Sequence, residues 1–317
     1  MASAKFIERY RIDKPDRFRL ADFNTRDTAG LNLDKDEING LLERDAERLG
    51  DLQERLYAED KWALLIVLQG MDTAGKDGII EHVMAGVDPQ GCIVHAFKAP
   101  SAEELEHDFL WRPAQRLPER GRIGIFNRSY YEDCLVVRVH REVLARGKIP
   151  ARLVTKNIWR ERYEDISAFE RYLTRQGTVI LKFFLNVSRK EQRERFLDRL
   201  EEPSKNWKFS MADITERALW PRYQAAYQDV IRHTSTRHAP WHVVPADHKW
   251  FARVVIGSTI VAALESLNLR FPRVDKASLD EFASIRNALQ REGKDKGKDK
   301  SKRTDKPKGK ARKTAAG

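Results

Sequence analysis

The chain has 317 residues, 41% of them hydrophobic and 34% charged, which is enough for one large α/β domain with additions or two smaller domains. The formal net charge of +11 points to an anionic partner, but twelve basic and four acidic residues between Arg291 and Gly317 carry a net +8 of it, so the body is only mildly basic. Cys92 and Cys134 stand alone without CxxC spacing, which argues against a disulfide scaffold or zinc cluster, and no signal peptide or membrane span is expected, which points to a cytoplasmic protein.

The first 30 residues are polar and read as irregular. From Asp34 onward, Ile38, Leu41, Leu42, Leu49, Leu52 and Leu56 recur at helical spacing and predict a packing helix, with a second subunit as the other surface such a stripe could meet. Trp62–Leu68 is a continuous apolar run, the pattern of a strand buried on both faces of a parallel sheet. Directly after it comes Gly70-Met-Asp72-Thr-Ala-Gly75-Lys76-Asp77-Gly78 and a helical segment, the G-x-x-x-x-G-K phosphate loop in its strand–loop–helix setting. The glycines let backbone N–H groups face a phosphate chain, and Lys76 adds a formal charge. Asp77 stands where such loops carry a metal-binding Ser or Thr hydroxyl, so Asp72 is the candidate carboxylate for the metal.

Further strand-like runs follow at Cys92–Phe97, Arg122–Phe126, Thr178–Val187 and Trp241–Ala246, separated by helical patterns. This alternation predicts right-handed crossovers and a parallel five-stranded sheet covered on both faces. Ser101-Ala-Glu-Glu104 reads as a capping box opening a helix that Pro113 should end or kink. The run ending at Phe126 opens into Asn127-Arg128-Ser129-Tyr130-Tyr131-Glu132-Asp133. Asn127 occupies the position where a carboxylate would assist the metal, which makes Glu132 and Asp133 substitutes, and Arg128 can neutralise charge on a transferring phosphoryl group. Between Arg189 and Lys208, Arg193, Arg195, Arg199, Lys205 and Lys208 alternate with acids. That pattern suits a solvated face or a lid over phosphates. A short helix over 277–289 and a low-complexity Lys-rich tail complete the chain.

The stretches GMDTAGKDG (70–78), HDFLWR (107–112), LPERGRIGIFNRSYYEDCLVVRVH (117–140), FFLNVSRKEQRERFLDRLEEPSKNWKFS (183–210) and APWHVVPADHKW (239–250) resemble the family-2 polyphosphate kinases. The form with Asn127 and Glu132 resembles the subgroup called class III. The resemblance implies a three-layer P-loop kinase fold with a helical lid, acting on inorganic polyphosphate and on AMP, ADP and ATP with Mg2+ or Mn2+, as a homodimer or homotetramer. It divides the chain into an N-terminal extension over 1–58, a kinase domain over 59–270 with its lid near 189–210, and a C-terminal helix with a disordered tail over 271–317. By position it places Asp72 and Lys76 on the family's P-loop aspartate and lysine, Arg128 on the arginine after the second motif, and Arg199 and Lys208 on basic lid residues. Asn127 departs from the family's usual aspartate, which makes Glu132 the candidate second metal ligand beside Asp72, and Asp72, Lys76, Arg128, Glu132 and Arg199 form the candidate catalytic set. Gly70, Gly75, Asp77, Gly78, Arg193, Lys205 and Lys208 would join Lys76, Arg128 and Arg199 in holding phosphates. Lys98, Asp108, Arg112 and Asn127 would hold the nucleotide. His82, His95, His107 and His140 are expected to be structural or binding residues, with no phosphohistidine.

Two other readings share these features. An ATP-dependent nucleotide or nucleoside kinase needs the same loop, lid and sheet. A nucleic-acid-binding P-loop protein would use the Lys-rich tail, although no recognition helix or RRM-like pattern accompanies it.

Overall fold

The computed structural model describes residues 4–204, 206–209 and 211–302. The five apolar runs form five strands: β1 (Ala63–Gly70), β2 (Cys92–Ala96), β3 (Ile123–Asn127), β4 (Thr178–Asn186) and β5 (Trp241–Pro245). All pairings are parallel, in the order β2-β3-β1-β4-β5. The central strands are buried on both faces, which explains why they read as unbroken apolar segments. The longer helices are α1 (Lys35–Glu59), α2 (Lys76–Val83), α3 (Ile158–Arg175), α4 (Arg189–Glu201), α5 (Met211–Ala218), α6 (Trp220–Thr234), α7 (Lys249–Ser266) and α8 (Lys276–Lys302).

The chain leaves β1 toward one edge of the sheet and later crosses from β3 to β4 toward the other. Right-handed crossovers therefore put α2 and α3 on opposite faces. Helices α1 and α7 pack with α2, and α6 packs with α3. The carboxyl end of β1 lies at the switch point between the two directions, where an open α/β sheet leaves a crevice.

Asp34 caps α1 by accepting from the backbone of Asp36 and Glu37, and Glu37 accepts in return from Asp34 N. The cap starts the helix at the predicted place, and Leu49, Leu52 and Leu56 are buried in the core. Ile38, Leu41 and Leu42, in the first half of the stripe, are only half-buried. The N-terminal segment is irregular as expected, yet it is part of the same core. Tyr10, Ile12, Phe18 and Leu20 are buried, and Ile12 N donates to Trp241 O at 2.9 Å, so the segment covers the outer edge of β5.

Two helical expectations are corrected. Ser101 and Glu104 form both bonds of the capping box, but the turn they cap, Glu104–Glu106, ends at once. Pro113 falls within a separate four-residue helix, Trp111–Ala114. The helix expected over 277–289 runs from Lys276 to Lys302. No proline intervenes before Pro307, and Gly293 and Gly297 cost only about 1 kcal/mol each. Residues 303–317, where most of the tail was expected to be disordered, lie outside the described residues. The chain divides into two compact units, Met1–Phe271 and Pro272–Gly317. Among the described residues, no helix is long and apolar enough to cross a membrane.

Candidate active site

Gly70 closes β1, and the chain turns through residues 71–75 before α2 begins at Lys76. Gly75 at φ +109° and Thr73 at φ +61° take left-handed backbone, a conformation that a residue with a Cβ keeps only where its surroundings hold it. Arg195 of α4 supplies that hold. Its buried Nη1 donates to Thr73 O at 2.9 Å and Ala74 O at 3.0 Å, Nη2 donates to Ala246 O at 2.5 Å, and Nε donates to Glu191 Oε1 at 2.9 Å. Gln192 Nε2 donates to Asp72 O at 3.0 Å and Gln192 Oε1 accepts from Arg217 Nη1 at 2.6 Å. The start of the expected lid over 189–210 is thus bolted to the phosphate loop. The alternation of Arg and Glu suggested a solvated face because backbone carbonyls, invisible in a charge pattern, are the partners of Arg195.

Lys76 Nζ donates to Gly70 O at 2.7 Å and Met71 O at 3.2 Å, folding over the loop's own carbonyls. Burial, followed by the charge of Arg128, pushes its pKa below the usual lysine value against the pull of Asp72, Glu132 and Asp77. Register places Asn127 of β3 beside Leu68 of β1, so the segment after β3 emerges next to the loop. Arg128, at φ +63°, sends Nη2 to Asp72 Oδ1 at 3.1 Å and Nη1 to within 3.8 Å of Glu132 Oε2. Burial works against its charge, but Glu132 and Asp72 outweigh that and hold its pKa above the ordinary value. Burial raises the Glu132 carboxyl, with Arg128, Lys76 and Gln69 pulling it back only in part. Asp133 faces away toward Arg162, whose Nη1 lies 3.6 Å from Asp133 Oδ1. Asn127 Nδ2 donates to Asp77 Oδ1 at 2.8 Å.

Gly70, Asp72, Gly75, Lys76, Asp77, Gly78, Asn127, Arg128 and Glu132 are therefore brought together by the ends of β1 and β3. The expected nucleotide residues Lys98, Asp108 and Arg112 lie on the segment that leaves β2. Phe97 N donates to Asn127 O at 3.0 Å and ties its start to the end of β3. Arg112 Nη1 donates to Lys98 O at 2.8 Å and lies 3.3 Å from Glu104 Oε2, while its guanidinium covers the Phe97 ring at 5.2 Å. Asp108 Oδ1 accepts from Leu110 N at 2.9 Å. Arg112 and Asp108 thus brace this segment. Arg193 turns outward to Glu194 at 2.6 Å, Arg199 is half-buried, and Lys205 and the side chain of Lys208 lie outside the described residues. Arg217 carried no signal in the sequence. Burial, then Arg189 and Arg193, hold its pKa below the ordinary arginine value, which places three arginines near one another.

A family model described as Polyphosphate kinase 2 matches residues 32–272. The chain is 48% identical over 256 residues to the ADP-polyphosphate phosphotransferase of Rhodopseudomonas palustris, covering 80% of this chain and 89% of that protein. It is 44% identical over 272 residues to the AMP/ADP-polyphosphate phosphotransferase of Meiothermus ruber, covering 86% and 98%. The crystal structure of polyphosphate kinase 2 from Arthrobacter aurescens superposes with a TM-score of 0.80 at 42% identity, covering 88% of this chain and 96% of that one.

Proposed function

The chain belongs to the polyphosphate kinase 2 family and has its P-loop kinase fold, and from that premise we propose that it transfers a phosphoryl group between inorganic polyphosphate and nucleoside mono- and diphosphates, AMP to ADP and ADP to ATP. The observation that carries this reading is the convergence of Lys76 and Arg128 with Asp72 and Glu132 at the mouth of the phosphate loop. Two cations there meet the charge of two phosphate chains, and two carboxylates supply hard oxygen ligands. The matching relative named for both AMP and ADP supports use of both acceptors.

Among the described residues no group of three or more His, Cys, Asp or Glu side chains could cage a metal ion. A Mg2+-like ion keeps several waters and needs only one or two carboxylates beside substrate phosphates, so Asp72 and Glu132 fit Mg2+ or Mn2+ as the residues that would hold it. Such an ion would neutralise charge on the phosphate groups. Lys76 turns its donors from the carbonyls of Gly70 and Met71 to phosphate oxygens, and Arg128 moves from its carboxylates to the transferring group. The attacking oxygen of a nucleoside phosphate is already ionised near neutral pH, so no base has to remove a proton and positioning does most of the work. The histidines have other partners: His82 Nδ1 pairs with Gly78 O, His107 stacks on Trp111, and His140 sits between Glu142 and Glu216.

Arg189, Arg193, Arg199 and Arg217 form the basic side along which the long polyanion runs, Lys205 and Lys208 join them by sequence position alone, and Lys98 serves the nucleotide. A cytoplasmic homodimer or homotetramer is the setting proposed for this chemistry, to be checked by light scattering. The experiment that tests the function compares long-chain polyphosphate with ATP and GTP as donors and AMP with ADP as acceptors, using purified protein and Mg2+. ATP made from ADP and polyphosphate supports the reading, and transfer from ATP alone to another acceptor refutes it.

A further inference from the structure

The core contains a polar cluster that a hydrophobic sheet does not need. Lys182 sits in the middle of β4, in register with Val67 of β1 and Trp241 of β5, and is fully buried, as is Glu170 of α3. Lys182 Nζ donates to Glu170 Oε2 at 2.6 Å, to Tyr131 OH at 2.9 Å and to Thr234 O at 2.7 Å. Glu170 Oε1 accepts from both Tyr130 OH and Tyr131 OH at 2.8 Å. Every donor and acceptor of the pair has a partner, which is the condition under which a buried ion pair is tolerated. Apolar side chains of similar volume often serve stability equally well, so stability alone does not account for four polar residues here.

Their placement does. Tyr130 and Tyr131 open the tight turn Tyr130–Asp133, one residue after strained Arg128 and directly before Glu132. Two neighbouring residues are thereby anchored through their hydroxyls to one carboxylate. On the other side of the turn, Ser129 Oγ accepts from Gln69 Nε2 at 3.1 Å and from Tyr131 N at 3.2 Å. Left-handed backbone at an arginine persists only when its surroundings over-determine it, and this cluster provides that constraint from inside the protein.

We propose that Glu170 and Lys182 are positioning residues for phosphoryl transfer, holding Tyr130 and Tyr131 so that Arg128 and Glu132 face the phosphate loop. The inference rests on the activity proposed above. It assigns a role to residues that touch neither substrate nor metal.

The test uses the full chain, polyphosphate as donor and ADP as acceptor. Glu170→Gln and the double variant Tyr130→Phe/Tyr131→Phe are expected to lower kcat about 10-fold, with the KM for ADP changing less than about 3-fold, because misplacement of the Arg128 turn weakens the transition state rather than nucleotide binding. In an Arg128→Lys background the same changes should cost less than about 3-fold further, since groups acting through one another are not additive. Should Glu170→Gln fail to fold, the tyrosine variants, which keep their volume, carry the test. Losses that multiply fully in both backgrounds, or folded tyrosine variants with unchanged kcat, overturn the inference. A wild-type chain without polyphosphate-dependent transfer overturns the activity reading, and this inference with it.

Discussion

Gly70→Ala separates loop geometry from global stability. A Cβ on Gly70 would lie 3.0 Å from Ala74 Cβ and 3.1 Å from both Leu185 Cβ and Leu185 O. These neighbours belong to the phosphate loop and to the end of β4, so the new methyl is accommodated by moving the loop a few tenths of an ångström. Overpacking of this kind costs about 1–2 kcal/mol, or a fall in Tm of roughly 3–6 °C for a domain of this size. A misplacement of about 1 Å can cost about 100-fold in rate, so a shift of a few tenths should cost on the order of 10-fold in kcat. Gly86→Ala supplies the contrast. Its Cβ would lie 2.2 Å from Ala46 O, in α1, away from the phosphate loop, which forces a larger displacement worth about 3 kcal/mol or more. Thermal unfolding and steady-state kinetics on both variants should rank them oppositely, with Gly86→Ala losing more Tm and Gly70→Ala losing more kcat. Matching ranks in the two assays would refute the reasoning that loop position, rather than fold stability, sets the rate.

Lys76→Ala should leave the circular dichroism spectrum unchanged and lower kcat by about 100-fold or more, as removal of a charge aimed at the transition state does; near-normal turnover would show that Lys76 is not at the reacting phosphates. Asp72→Asn removes one of the two carboxylates and should raise the Mg2+ concentration needed for half-maximal rate by about 10-fold or more, measured by metal titration and by calorimetry of metal binding. Burial raises the Glu132 carboxyl, so its ionised form is lost on acidification at a higher pH than for a free glutamate. The acid limb of kcat/KM should lie above the ordinary carboxylate range and vanish in Glu132→Gln. His140 is bonded to Glu216 at 2.9 Å and Glu142 at 3.1 Å. The bond to Glu216, opposed by burial and assisted by Glu142, raises its pKa in the folded chain. That stabilisation is fully present below about pH 6.5 and is lost as pH rises through the raised value. The Tm advantage of the wild type over His140→Gln should accordingly shrink as pH rises above about 6.5, the unfolded-state value.

The sheet was legible because burial on both faces removes the alternation that would blur a strand, and each apolar run came within three residues of its observed limits. Helix α1 was legible because its apolar residues recur at helical spacing, and the Asp34 cap fixes where it starts. The phosphate loop was legible because its glycines and lysine must stand at fixed spacing. Residues whose partners are backbone or distant in sequence were not legible. Arg195 ties two carbonyl oxygens of the loop, Thr73 O and Ala74 O, to two that follow β5, Ala246 O and Asp247 O, and no pattern of side chains announces a carbonyl acceptor. Lys182, in the middle of an apolar run, and Glu170, on α3, lie on separate elements, and no spacing marks them as a pair. Their pairing is a consequence of tertiary packing.

Asn127 has a partner that its place at the end of a strand does not announce. Its amide looked like the loss of a metal-binding carboxylate at the end of β3, to be made good by Glu132. The structure shows what the amide does: it donates to Asp77, on the first turn of α2, at 2.8 Å. A standard phosphate loop has a hydroxyl at the position of Asp77 and a carboxylate at the position of Asn127; here the carboxylate stands on the loop side and the uncharged group on the strand side. One carboxylate is kept between the two positions, and a hydrogen bond still joins them. With carboxylates at both positions, 2.8 Å apart, like charges would repel unless a cation intervened or one carboxyl took up a proton. Asn127→Asp should therefore raise the pKa of one of the pair and make Tm more sensitive to added Mg2+, a change that differential scanning calorimetry with and without the ion would detect. No such change would mean that Asn127 and Asp77 touch without depending on one another.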